Sequence, residues 1–147
     1  MPTPVARSHK DLICWKRAYE AKLLVYQLIR TTTAREDFEF RKQLRESASS
    51  APRLMAEGFR RYYPAEFAKY LRLANGELAE TIESLDDGVD RRHFVEDQII
   101  PVQRLVKRSL RASSRLAVYL DGANPPGGPP PKPRRRRDEP RGPEPKG

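Results

Sequence analysis

Cysteine is nearly missing: the chain has one, Cys14, in 147 residues. No intramolecular disulfide framework can form, so nothing suggests a stapled secreted scaffold. Histidine is almost as scarce. His9 and His93 stand far apart, and two isolated imidazoles offer neither a metal-ligand spacing nor the base of a catalytic triad. No phosphate-cradling glycine loop and no paired-carboxylate pocket stands out. No apolar run approaches the ~20 residues of a membrane span, and the opening MPTPVARSHK lacks the apolar core of a signal peptide. These gaps lead to the expectation of a cytoplasmic, non-enzymatic protein with no cofactor, no metal and no membrane partner. Strand-like alternation is missing too, which leaves helix as the pattern to test.

What is abundant is charge. The chain carries 29 Lys and Arg against 20 Asp and Glu, a net +9. Up to Leu120 the balance is 22 to 16, and from Asp121 it is 7 to 4. The foldable part is therefore basic on its own account, which favours a polyanionic partner but says nothing of fold.

Apolar residues recur at helical spacing in four segments. In the first, Asp11 to about Arg30, Trp15, Ala18, Tyr19, Val25, Tyr26 and Ile29 share one broad side, while Ile13 and Leu24 project the other way. That surplus of apolar surface hints at a second contact face. In the second, about Asp37 to Arg61, the stripe Phe40, Leu44, Ala48, Ala51, Met55, Phe59 passes through Pro52 without losing phase. A kinked helix satisfies this, as does a helix restarted with Ser50 as its cap. The third opens at Pro64 and is expected to stop near Gly88, with Phe67, Leu71, Ala74, Leu78, Ile82 and Leu85 in phase across Asn75-Gly76. The fourth, about Arg91 to Leu120, turns Ile99, Val102, Val106, Leu110, Ala117 and Leu120 inward, and Pro101 kinks it or marks its effective start.

Four such segments with short links make an all-α, antiparallel up-and-down four-helix bundle. Residues 1–10 read as a flexible N-terminal arm and 11–120 as the bundle. Residues 121–147 hold 9 of the 14 prolines and no large apolar side chain. They read as a disordered tail rich in proline and arginine.

Catalysis finds little support in these residues. Cys14 reads as a small packed side chain. Glu57 could suggest acid–base work, but bonding to a backbone group or an arginine suits it better. The clearest binding signal is a ridge on the fourth helix: Arg104, Arg108, Arg111 and Arg115, spaced 4, 3 and 4, with Lys107 beside it. Guanidinium groups form paired bonds to phosphate oxygens, so the ridge suits a nucleic-acid backbone. Lys42, Arg53 and Arg60 add charge on the outer face of the second helix, with Arg61 alongside. Tyr62 and Tyr63 either stack on unpaired bases or cap the bundle end. In the tail, Arg134, Arg135, Arg136 and Arg137 suit nonspecific phosphate binding, and PPPKPR resembles a polyproline ligand. Two other readings of the ridge stay open. It is a solvated face, or it meets an acidic partner such as the third helix of another subunit, which carries Glu66, Glu77, Glu80 and Asp87.

The order DLICWKRAYE, then QLRESASSAPRLMAEGF, then AEFAKYLRLANGELAE resembles the four-helix-bundle protein family encoded within intervening sequences of bacterial 23S ribosomal RNA genes. The resemblance spans Asp11 to Leu120. Its most specific elements are Asp-Leu-x-x-Trp at Asp11 to Trp15 and Ser-x-Pro-x-x-x-Ala-Glu-Gly at Ser50 to Gly58, supported by Glu66 to Leu71. Related accessory proteins of diversity-generating retroelements form a homopentamer and bind nucleic acid and a reverse transcriptase through a basic surface. The resemblance thus implies a homo-oligomer, as large as a pentamer, with RNA favoured over DNA. It implies an accessory role beside a reverse transcriptase or a ribosomal partner. The alternative is a protein-interaction module whose basic face meets an acidic protein.

Overall fold

Helix propagation overrides the breaks that the sequence offers inside its apolar stripes. The computed structural model describes residues 6–124. These form α1 (Ile13–Thr31), α2 (Phe38–Phe59), α3 (Pro64–Asp90) and α4 (Glu96–Asp121), with short 3-10 turns at His9–Asp11 and Thr33–Glu36. No strand occurs among the described residues. The Arg134–Arg137 run lies outside them.

Pro52 sits inside α2 and Pro101 inside α4, and both helices run through. Each proline removes one backbone bond, a loss of about 3 kcal/mol in a helix interior unless packing compensates. Burial of Pro52 with Ala51, Met55 and Ala56 supplies that packing in α2. Both open alternatives resolve the same way, since neither helix restarts.

α1 packs on α2 and α4, and α3 packs on α2 and α4. The helices therefore stand in chain order at the corners of a square, with α2 and α4 on a diagonal. Short links reverse the direction at each step, giving the up-and-down bundle. Leu44, Met55, Leu71, Leu78, Leu85, Val25 and Val106 fill its centre.

Three details differ from the sequence expectation. On α1 the buried edge is Cys14, Ala18, Ala21, Val25 and Ile29; Trp15 and Tyr26 are only partly buried and Tyr19 is exposed. Small side chains let the neighbouring helices approach closely, which pushes the large rings to the flank. On α4, Ser109 and Ser113 are buried, whereas Leu110 and Leu120 lie at the margin. Their hydroxyls are satisfied: Ser109 donates to the Cys14 carbonyl at 2.6 Å, and Ser113 makes a longer contact to the Leu71 carbonyl at 3.5 Å. Gly88 does not end α3. It lies against Phe94 and Phe40, where an added Cβ would collide with both rings. The stop comes later, at Arg92, whose φ of 64° is left-handed. There the His93 amide bonds back to Gly88 and that of Arg92 to Val89, a Schellman-type ending.

The chain before α1 is also engaged. Ser8 accepts from the Lys10 amide, while Asp11 accepts from the Arg7 and Ser8 amides. An ordered turn therefore begins within the stretch expected to be a free arm.

Candidate nucleic-acid interface

From Gln98 to Leu120 the sequence carries five cations and no carboxylate. At 3.6 residues per turn, Arg104, Lys107, Arg108, Arg111 and Arg115 fall within a strip about 100° wide. All five are exposed, and the strip lies opposite the edge formed by Val102, Val106, Ser109 and Ser113. None of them pairs with a carboxylate among the described residues. The strip runs about 16 Å from Arg104 to Arg115, at 1.5 Å per residue. Beyond its ends the same face exposes Ile100, Val118 and Tyr119, the last two at 70% and 72%. Charge, spacing and freedom from internal partners suit this face to a row of phosphates.

The remaining candidates do not join it. Lys42, Arg53 and Arg60 are exposed along the outside of α2, on the diagonal corner from α4. Arg61 is engaged locally: it donates to the Tyr70 hydroxyl at 2.6 Å, lies over that ring, and approaches Glu57 to 3.6 Å. Glu57 thus has the arginine contact expected of it. Tyr62 and Tyr63 meet edge to face at 5.1 Å in the link between α2 and α3, and both are exposed.

The opposite polarity gathers between α2 and α3. Glu46, Glu77, Glu80 and Glu83 line a groove of about 640 Å³ there, with serines and Gln43 but no cation among the described residues. Partial burial pushes the Glu77 carboxyl above its ordinary range, and the charges of Glu80 and Glu46 push it further. A phosphate would be repelled from this groove.

One polar cluster escaped the sequence reading because its members lie in different links. His93 Nε2 donates to Asp37 at 2.9 Å, and its Nδ1 meets the Thr33 hydroxyl at 2.8 Å. Arg91 bridges Asp37 and Asp87 at 3.1 and 2.8 Å. The His93 bond, then the Phe40 amide and Arg91, hold the Asp37 carboxyl below its ordinary range. A hydroxyl–imidazole–carboxylate chain has the outline of a nucleophile relay, yet Asp37 is already committed to capping α2 and to Arg91. The arrangement reads as a strut tying the α1–α2 link to the α3–α4 link. Cys14 is buried, and loss of hydration pushes its thiol up to about 11. Such a thiol is a poor nucleophile at neutral pH.

Among the described residues no group of three or more His, Cys, Asp or Glu is placed to hold a metal ion. No described helix is long and apolar enough to cross a membrane. A family model described as 23S rRNA-intervening sequence protein matches residues 10–113. No protein of curated function matches the chain.

Proposed function

Because the chain belongs to the 23S rRNA-intervening sequence protein family, we propose that it is a non-enzymatic bundle that binds structured RNA through phosphate contacts. The reading rests on one observation, the outer face of α4 with five cations that have no ion-pair partner among the described residues. No recognition-helix pattern accompanies that face, so shape and backbone charge would set affinity rather than base sequence. In this reading the protein works in the cytoplasm, assembled from several copies. It serves as an accessory to a ribonucleoprotein or a reverse transcriptase.

A second reading is favoured by the glutamate groove between α2 and α3. There the protein is an assembly module, and α4 of one copy meets the acidic side of another. Such charge pairs would fix register more than affinity.

Fluorescence anisotropy with a labelled ribosomal hairpin separates the two. Arg108→Ala with Arg111→Ala should weaken binding at unchanged helicity. Losing two phosphate contacts should also make the slope of log K against log salt shallower by roughly 1.4–1.8. An unchanged affinity and slope would remove α4 from the RNA site. If the pair instead lowered the mass seen by light scattering, the assembly reading would take its place.

A further inference from the structure

On the other side of the molecule, α1 and α2 enclose a groove whose chemistry differs from both surfaces described above. Its α1 wall is a row of rings. Trp15 and Tyr19 stack at 4.8 Å with 13° between their planes, and Tyr26 follows along the helix. Between the two tyrosines stands Lys22, its ammonium 4.6 Å from the Tyr19 centroid and 5.9 Å from that of Tyr26. The α2 wall brings Arg53 opposite, beside Pro52 and Ala56. Tyr26 also borders a second depression, where Arg30 and Arg45 replace Lys22 and Arg53. Each depression holds about 220 Å³, less than a drug-sized pocket.

Three aromatic rings and four cations line these two depressions, with no carboxylate among the described residues that border them. None of Lys22, Arg30, Arg45 and Arg53 has an ion-pair partner among the described residues. Rings alone would suit any apolar partner, and cations alone any anion. Rings alternating with unpaired cations suit a chain that alternates flat bases with phosphates, and that is single-stranded nucleic acid. Lys22 has a flexible four-carbon stem. Swinging its ammonium out to a phosphate would leave a ring-lined slot between Tyr19 and Tyr26.

We infer that the α1–α2 groove is a second nucleic-acid site, one that takes an unpaired RNA segment by stacking bases on Trp15, Tyr19 and Tyr26. Lys22, Arg30, Arg45 and Arg53 neutralise its phosphates. The inference rests on the RNA-binding reading above and extends it: α4 holds a paired region by its backbone, and the groove holds a flanking single strand. The acidic α2–α3 groove then keeps the strand from passing beyond α2 onto α3.

The chain's single tryptophan makes this directly testable. A single-stranded U12 oligonucleotide, added to the full chain, should quench and shift the Trp15 emission, whereas a blunt hairpin without unpaired flanks should not. Tyr19→Ala removes an exposed ring and should weaken U12 binding roughly 5- to 160-fold, the range for loss of one stacked base. Lys22→Gln with Arg53→Gln, which removes charge and leaves the core untouched, should weaken it as well and flatten its salt dependence. Hairpin binding in both variants should stay close to wild type. If the hairpin binds while Trp15 ignores U12 and both variants behave as wild type, the groove is not an RNA site, though the α4 reading stands. If the emission follows protein concentration instead of U12, a second copy covers the groove and the inference falls.

Discussion

α3 and α4 are neighbours of nearly equal length, 27 and 26 residues, and both bury one edge in the same core. Their other sides could hardly differ more. α3 carries seven carboxylates and two cations, whereas α4 carries five cations and only three carboxylates, all in its first or last turn. Position in the bundle does not dictate this contrast, because the packing constrains only the inner edges. Helix stability does not demand it either. Asp87 and Asp90 sit in the last turns of α3, where the helix dipole disfavours negative charge. Charge on the outer faces is therefore the part of the sequence left free for a partner, and it is sorted helix by helix.

The contrast between an inner and an outer side can be sharpened within α3 by one substitution made twice. Gly88→Ala pushes a methyl group into Phe94 and Phe40 and should cost about 1–3 kcal/mol, the usual range for overpacking. Gly76 has nothing within 4 Å of an added Cβ, so Gly76→Ala should stabilise by up to about 1 kcal/mol through helix propensity. Urea unfolding of the two variants checks the pair. Equal signs would mean that the two faces are not as different as described.

A smaller effect concerns the carboxylates themselves. Glu77 titrates above its ordinary range in the folded chain, through burial and then its glutamate neighbours. A raised folded-state value means that ionised Glu77 costs stability at neutral pH. The cost is relieved as pH falls through that value, and it is gone below the ordinary glutamate range near 4.3. Glu77→Gln should therefore raise the Tm slightly at pH 7, with the gap closing by about pH 4. A gap independent of pH would show that charge repulsion is not its cause. RNA affinity should not fall in this variant, in contrast to substitutions on α4.

Much of this contrast was legible before the structure, because helical period is a local property. The stripes through Pro52 and Asn75-Gly76 kept their phase, and phase is what the bundle preserved. The Arg104 to Arg115 strip was legible for the same reason, since it belongs to a single helix. Side-chain size misled at Trp15, Tyr19 and Tyr26. The inner seam went to Cys14, Ala18 and Ala21, whose smallness allows close approach, and to Ser109, whose hydroxyl finds the Cys14 carbonyl. Gly88 looked like a stop because glycine usually is one there, and its real constraint came from Phe94 across a link. Surfaces shared by two helices were invisible for a plainer reason. Lys22 and Arg53 come to line one groove, and Asp37 meets His93, only after the bundle closes.

Whether RNA lies on α4 and not on α3 can be read from two lysines. Lys107 is exposed within the α4 strip and Lys69 is exposed on α3. Acetylation by an amine-reactive ester, followed residue by residue with mass spectrometry, reports on both in one sample. With a ribosomal hairpin at saturation, Lys107 should become strongly protected while Lys69 reacts as in the free protein. Equal reactivity of Lys107 with and without bound RNA would contradict the account.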